Sequence, residues 1–188
     1  IFRDADPSFG GQQPPSAAEL LDRARTRVDV QSVPKEATRV ELLNVLAESF
    51  IGLEDVDRAG STAQAALEAA SRSLGDDHVQ VLRARAVLTR VHRTRGDLAA
   101  MREQTELRLR ALQHDPRRAA PHWLQALIDR AELALDQGRY EDAERSAREA
   151  LGWMDRWSGD WARLRAAAWH AVSNAQEFRL QIPAATDA

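Results

Sequence analysis

Five histidines are the side chains of this sequence best suited to metal binding or to general acid–base catalysis. No two of them stand four residues apart, and none lies in an HExxH arrangement. The chain has no cysteine, which excludes thiolate metal sites, disulfides and cysteine nucleophiles. The sequence therefore predicts no metal site at the five positions, which are His78, His92, His114, His122 and His170.

Two carboxylate pairs, Asp76–Asp77 and Glu141–Asp142, are the other candidates for acid–base chemistry. Both fall where a helix is expected to begin, and the helix dipole favours negative charge there. The sequence contains no glycine-rich phosphate loop and no GxSxG motif. We therefore expect no catalysis and no cofactor.

Arginine is the remaining residue type that could recognise a ligand. Lys+Arg number 26 against 29 Asp+Glu, so the net charge of -3 gives no basic field for nucleic acid. Every basic residue except Lys35 is arginine, which suits carboxylates and phosphates. Arg83, Arg90 and Arg93 are spaced to share one helix face, where they would attract an acidic peptide. The alternative is a solvated face with no ligand.

The elements that must position these residues are helices. Residues 1–15 contain three prolines and two glycines and are predicted to be a linker from an upstream region. From Ser16 onward the apolar pattern is helical, with no sustained alternation of period two, so the class is all-α. No apolar run approaches the roughly 18 residues that a membrane span needs. We expect no membrane insertion by this fragment.

A repeat of 42 residues organises the helical region, because Glu54, Gly96 and Gly138 stand at equal intervals. Glycine can adopt the left-handed backbone that ends a helix in a tight turn. Small residues then let the second helix return close to the first. Apolar or small residues recur five and thirteen positions after each turn, at Ala59, Met101 and Ala143 and at Leu67, Leu109 and Leu151.

This pattern resembles the tetratricopeptide repeat (TPR) family. The third unit carries the likeness best, whereas the first has Glu54 for the turn glycine and the second has Met101 and Arg108 at small-residue positions. The period and the connector SLGDDH at 73–78 are similar to the repeats of kinesin light chains. The resemblance implies a right-handed superhelical solenoid of antiparallel helix hairpins. The third-unit residues that match are Gly138, Tyr140, Ala143, Ala150 and Leu151.

The register predicts eight helices in one repeat domain over 16–182, followed by a tail over 183–188. A half repeat covers 16–31, full repeats cover about 37–74, 78–114 and 119–156, and a terminal helix at 160–180 ends before Pro183. The predicted helices span 16–31, 37–53, 56–74, 78–95, 98–114, 119–137, 140–156 and 160–180.

The resemblance implies that the first helices of the hairpins line a groove for a protein or peptide ligand. We expect an acidic partner if the arginines carry the site. The groove residues assigned by the register are Asn44, Glu48, Arg83, Arg90, Arg93, Gln125, Glu132, His170 and Asn174.

Tryptophans cluster near the end of the chain. Trp153, Trp157 and Trp161 recur every four residues, which would place them on one helix face if the helix continued through Gly159. With Trp123 and Trp169 they predict either a hydrophobic cap or an exposed anchor for a partner or for self-association.

The parent protein is suggested by a second resemblance. The stretch DPSFGGQQPPSAAELLDRARTRVD at 6–29 is similar to the junction that precedes the TPR arrays of bacterial serine/threonine protein kinases. This implies a sensor or scaffold domain, cytoplasmic or, in a transmembrane kinase, periplasmic. The alternatives are a cytoplasmic transcriptional or signalling regulator and a stand-alone assembly or cochaperone protein.

Overall fold

The structure is a computed structural model that describes residues 15–30 and 36–186. All but the last residue of the predicted linker, and residues 187 and 188 of the predicted tail, lie outside this range. The described chain divides into two compact units, one up to Thr94 and one from Arg95 onward. The boundaries of the half repeat and of the three full repeats stay a prediction.

Eight α-helices and no strand make up the described part of the chain, which confirms the all-α class. A short 3-10 helix, Pro116–Ala119, precedes the sixth. The helices are α1 Ala17–Val30, α2 Glu36–Gly52, α3 Val56–Ser73, α4 Val79–Thr94, α5 Leu98–Leu112, α6 Ala120–Asp136, α7 Tyr140–Arg156 and α8 Ala162–Thr186.

Three-residue turns follow α2, α4 and α6, at the positions that the repeat predicted. Glu54, Gly96 and Gly138 all have left-handed backbone, with φ of 60°, 73° and 69°. At the first and third turns, the amide following this residue donates to the carbonyl five residues earlier, Asp55 to Phe50 at 3.0 Å and Arg139 to Ala134 at 2.8 Å. This Schellman arrangement satisfies carbonyls that a helix end leaves unpaired.

In the first unit, α2 packs on α3, α3 packs on α4, and α2 also contacts α4. The second-helix alanines are fully buried, as the close approach of paired helices requires. Larger side chains of α2 and α4, including Phe50 and Leu88, fill the space around them. The buried alanines of α3 are Ala59, Ala63, Ala66 and Ala70.

The second unit repeats this plan, because α6 packs on α7, α7 on α8, and α6 also contacts α8. Ala143, Ala147 and Ala150 of α7 are each 0% exposed. The helix α5 packs on α6, to which it is joined through the 3-10 segment. The alanines and the glycine of the third repeat are therefore a helix contact and a turn, as their spacing predicted.

Arg108 of α5 stands where the repeat pattern favours a small residue, yet it is 0% exposed. Its guanidinium pairs with the buried carboxylate of Asp129 on α6 and donates to the His122 carbonyl at 3.4 Å. Gln125 completes the site by donating to the second oxygen of Asp129 at 2.9 Å. A buried arginine is tolerated here because its charge is matched inside the same helix contact.

Pro183 does not end the last helix, and this corrects the prediction that α8 stops before it. The helix continues to Thr186.

We expect the effects of substituting Arg108 and Asp129 on the free energy of unfolding to be strongly coupled. Asp129→Ala should lower the free energy of unfolding by about 3–5 kcal/mol, because it leaves Arg108 charged and buried without a partner. The double change Arg108→Met with Asp129→Leu should recover most of that loss. Urea unfolding of both variants measures this, with Arg110→Met on the exposed side of α5 as the control. A cost for Asp129→Ala no larger than the control's contradicts the assignment.

The left-handed turns predict that substitutions at two equivalent turn positions change the free energy of unfolding in opposite directions. Glu54→Gly should raise the free energy of unfolding by about 1 kcal/mol, and Gly138→Ala should lower it by about 1–2 kcal/mol. A Cβ at Gly138 would meet only the Tyr140 hydroxyl at 3.9 Å, so the cost is one of backbone conformation. Gly52→Ala, with helical backbone and open space around it, is the control and should not destabilise. Equal effects at Glu54 and Gly138 would contradict this reading of the turns.

Candidate functional site

In the first unit, the exposed faces of α2 and α4 lie side by side. Asn44 of α2 donates to the backbone oxygen of Gln80 at 3.0 Å and to its side-chain oxygen at 2.8 Å. One turn further along, Arg83 of α4 holds Glu48 of α2 with two hydrogen bonds, at 3.0 and 2.8 Å. We call the surface that these two helices expose the α2–α4 face.

The bidentate pair with Glu48 occupies the first arginine of the predicted stripe. The Glu48 hydrogen bond is the main reason that the pKa of Arg83 is raised, and the nearby Glu41 charge adds to it, while burial acts in the opposite sense. The guanidinium therefore has two carboxylates of the neighbouring helix close to it. A negatively charged ligand would have to displace Glu48 before it could pair with Arg83.

Arg90 is the stripe residue most available to a ligand. Its side chain is exposed, and it makes no ion pair with any residue that the structure describes. Arg93, one helical turn beyond, is half-buried. Asn44 needs a correction, because it is 0% exposed and ties α2 to α4 instead of facing solvent.

Exposed apolar side chains accompany the charges on the α2–α4 face. Val45 of α2 and Val79 of α4 are 45% and 44% exposed, and the neighbouring Leu42 is 40% exposed. By helical spacing, Val45 lies between Glu41 and Glu48 on the outer side of α2. The face thus combines apolar patches with charges of both signs, which is the composition of a protein-binding surface.

The groove residues predicted in the second unit lie on α6 and α8, which contact each other. His170 is exposed, and its ring nitrogens lie 3.5 Å from the Asn174 amide nitrogen. Gln125 and Glu132 are half-buried on α6. Gln125 supports the buried Asp129, so its amide serves the helix contact rather than a surface site.

Most of the tryptophans form an internal cluster. Trp153 makes an edge contact with the buried Trp123, at 6.3 Å between ring centroids, and lies 4.7 Å from Trp157. The helix does not continue through Gly159, as the one-face hypothesis required, because α7 ends at Arg156. Trp161 instead folds over Gly159, leaving no room there for a Cβ.

Trp169 of α8 stands apart from the ring contacts of this cluster, with 51% of its surface exposed. The cap and anchor hypotheses both stay predictions, and Trp169 is the indole that the structure leaves most exposed.

A cleft between α5, α6 and α7 is a concave feature of the second unit that the sequence did not predict. It encloses about 540 Å³. Its charged members come from three different helices, so no single periodicity marks them. The one available signal is Arg139, which stands where the two earlier repeats have the helix-capping Asp55 and Asp97. The lining residues are Arg102, Glu106, Arg130, Leu133, Ala134, Arg139, Asp142, Arg145 and Ser146.

Hydrogen bonds among these residues shape the cleft. Asp142 accepts from Arg139 at 2.7 Å and from Arg145 at 2.8 Å, and the Arg139 bond is the main cause of its lowered pKa. Arg130 donates to Ser146 at 3.0 Å and to Glu149 at 2.6 Å. The Asp142 carboxylate thus accepts hydrogen bonds from two guanidiniums at the entrance of the cleft.

Glu144 fastens α8 to α7. It accepts hydrogen bonds from Arg148 at 2.8 Å and from Gln176 of α8 at 2.9 Å. A guanidinium nitrogen of Arg179 lies 3.6 Å from the Glu144 carboxylate. These contacts lower the pKa of Glu144, with the Arg148 hydrogen bond the largest cause. Tyr140 and Phe178 stack beside them with ring centroids 5.6 Å apart.

Across the described residues, no three His, Asp or Glu side chains gather closely enough to hold a metal ion. None of the described helices has the length and apolar content to cross a bilayer.

Comparison with known proteins places the fold. No protein-family model matches this sequence, and no curated protein matches it. Among solved structures, the chain is similar to the nearly identical TPR-like repeats attributed to a kinesin light chain of Podosopora anserina. The TM-score is 0.67 at 17% identity, over 91% of this chain and 81% of that one. A point-substituted form of the same repeats gives a TM-score of 0.69, also at 17% identity and the same coverage.

BtubC (BKLC) from P. vanneervenii is a further structural neighbour, with a TM-score of 0.67 at 14% identity over 91% of this chain and 73% of that one. At these identities the likeness shows a shared fold. The prediction of a TPR-like repeat fold with kinesin-light-chain-like repeats is therefore confirmed at the level of structure.

The Glu144 contacts predict a pH-dependent stability. Because its folded pKa is lowered, its contribution is present above the unfolded value of 4.5 and is lost as pH falls through the folded pKa. Glu144→Gln should therefore cost about 1 kcal/mol at neutral pH, and this cost should shrink as the pH falls below 4.5. Urea unfolding at neutral and at acidic pH measures the difference, with the exposed Glu103→Gln on α5 as control. A cost that is constant with pH would show that Glu144 does not act through its charge.

Proposed function

We propose that this TPR-like chain is a non-catalytic scaffold that binds a protein or peptide segment. Folds of this type are generally non-catalytic and present surfaces for protein or peptide partners. The observation that carries the proposal is the α2–α4 face. The helices α2 and α4, which pack on α3 and on each other, still expose Val45, Val79 and Arg90. Exposed apolar residues beside charges favour a macromolecular partner over a small substrate.

The partner segment is proposed to lie across α2 and α4 in an extended form. Its apolar side chains would cover Val45 and Val79, and an acidic side chain would meet Arg90. Glu41 and Glu48 limit how much negative charge the segment can carry, because they already surround Arg83. An acidic partner is therefore supported at the Arg90 end of the face and opposed near Glu48.

The parent protein is proposed to be a bacterial serine/threonine protein kinase that uses these repeats as a sensor or scaffold. Support comes from the sequence of residues 6–29, all of which precedes α2 and part of which lies outside the described chain. A cytoplasmic transcriptional or signalling regulator, or a stand-alone assembly or cochaperone protein, is the alternative. The reading frame upstream of Ile1 decides, since a kinase signature with a membrane span supports the first and a DNA-binding domain supports the second.

Self-association is a second candidate function, and Trp169 is the observation that favours it. An indole with 51% of its surface exposed would be covered in a dimer that uses α8. Sedimentation of the chain and of Trp169→Ala across a range of concentrations tests it. A monomer at every concentration contradicts it.

The test of the α2–α4 face begins with a photoreactive amino acid at Val45 or at Val79 in the intact parent protein. Crosslinks formed there, and absent when the same group replaces Gln64 on the exposed side of α3, identify the partner and its segment. Affinity for that segment is then measured with Val45→Asp and with Gln64→Asp as the matched control. The face variant should bind at least tenfold more weakly, about 1.4 kcal/mol.

Charge at the same face is tested with the triple variant Arg83→Ala, Arg90→Ala, Arg93→Ala at two salt concentrations. If the groove holds an acidic ligand, the variant should lose about tenfold in affinity and most of its salt dependence. Unchanged affinity of both the valine and the arginine variants would exclude the α2–α4 face as the binding site.

A further inference from the structure

The cleft between α5, α6 and α7 has an excess of positive charge. Four arginines line it, Arg102, Arg130, Arg139 and Arg145, against the carboxylates of Glu106 and Asp142. Glu149, at the edge, accepts one hydrogen bond from Arg130 at 2.6 Å. Even with this third carboxylate the arginines are in excess, in a chain whose net charge is -3. The concentration of guanidiniums here therefore departs from the character of the whole protein.

The guanidiniums of the cleft keep unused hydrogen-bonding capacity. Asp142 accepts one hydrogen bond from each of two arginines, and Arg139 donates two more to the Gln137 side-chain oxygen. A guanidinium offers five N–H donors, so both arginines keep donors for a ligand. Arg102 makes no ion pair with any residue in the described part of the chain. The side chains of Arg139 and Arg145 are 47% and 73% exposed, so an incoming anion can reach both.

The size and charge of the cleft favour a segment with several carboxylates over a single anion. Leu133 and Ala134 of α6 lie at its base, but at 2% and 1% exposed they offer almost no surface to a ligand. A volume of about 540 Å³ can hold one or two side chains of a bound segment. The arginines stand on α5, on α6, on α7 and in the turn before α7, so several carboxylates of one segment can meet them.

We propose that this cleft is a binding site for an acidic segment of a partner protein, which carries several glutamate or aspartate side chains. Carboxylates of the segment accept hydrogen bonds from Arg102, Arg139 and Arg145. Asp142 acts as the internal competitor that the ligand displaces from the two arginines. The proposal goes beyond the function proposed above, because the cleft shares no residue with the α2–α4 face.

Two features of the proposal can be separated by variants of the intact chain. Arg139→Gln with Arg145→Gln removes the shared anion site, and both side chains are exposed enough for the fold to tolerate the change. Arg110→Gln with Arg117→Gln removes the same charge from exposed positions of the same unit outside the cleft. Asp142→Asn removes the internal competitor and leaves the arginines in place.

The probe is a short fluorescent peptide in which pairs of glutamates alternate with leucine, titrated by anisotropy at low salt. The cleft variant should bind it at least tenfold more weakly, about 1.4 kcal/mol, and the control should change by less than about threefold. Asp142→Asn should bind it severalfold more tightly, because two guanidiniums lose their internal partner. The same peptide with lysine in place of glutamate should not bind.

Four results would overturn the proposal. Equal losses in the cleft and control variants would mean non-specific attraction to charge. Displacement of the peptide by inorganic phosphate at concentrations equal to the peptide's own Kd would mean a small-anion site. Unchanged or weaker binding by Asp142→Asn would remove the competitor role. Loss of peptide binding with Val45→Asp, and not with the cleft variant, would move the acidic segment to the α2–α4 face.

Discussion

Close packing of the helices in the α2–α3 and α6–α7 hairpins is the constraint on which the rest of each unit depends. In each of these hairpins a turn of three residues brings the second helix back against the first. One backbone in the turn must therefore be left-handed, and the contact between the helices must be built from small side chains. Ala59, Ala63 and Ala66 meet this demand in α3, and Ala143 and Ala147 meet it in α7. The remaining apolar residues then pack outward, onto the next helix in the unit.

Where the small residue is missing, the structure compensates with charge. Arg108 is far larger than an alanine, and its burial is possible because Asp129 faces it from α6 and Gln125 holds that carboxylate in place. The same pairing explains why Asp129 of α6 is buried and why Gln125, a residue of the predicted groove, donates to it. The large side chain at a small-residue position of α5 thus determines which polar residues α6 needs at the contact.

The parts of the fold that were predictable from the sequence are those set by local geometry. The spacing of Glu54, Gly96 and Gly138 was enough to place the turns, because a left-handed residue is required at each whatever surrounds it. The candidate site was predictable only in part. The register put Glu48 and Arg83 on facing helices, but their bidentate pair and the burial of Asn44 depend on how α4 lies against α2. The arginines of the cleft come from three helices with no common period, so only the packed unit brings them together.

The buried Arg108–Asp129 pair has a consequence for how this sequence can change over generations. Either residue alone is trapped, since replacing one strands the other without a counter-charge inside the protein. A lineage that replaces the pair with apolar residues must pass through a less stable intermediate or change both codons at nearly the same time. The two positions should therefore covary: related sequences with an apolar residue at one position should carry an apolar residue at the other.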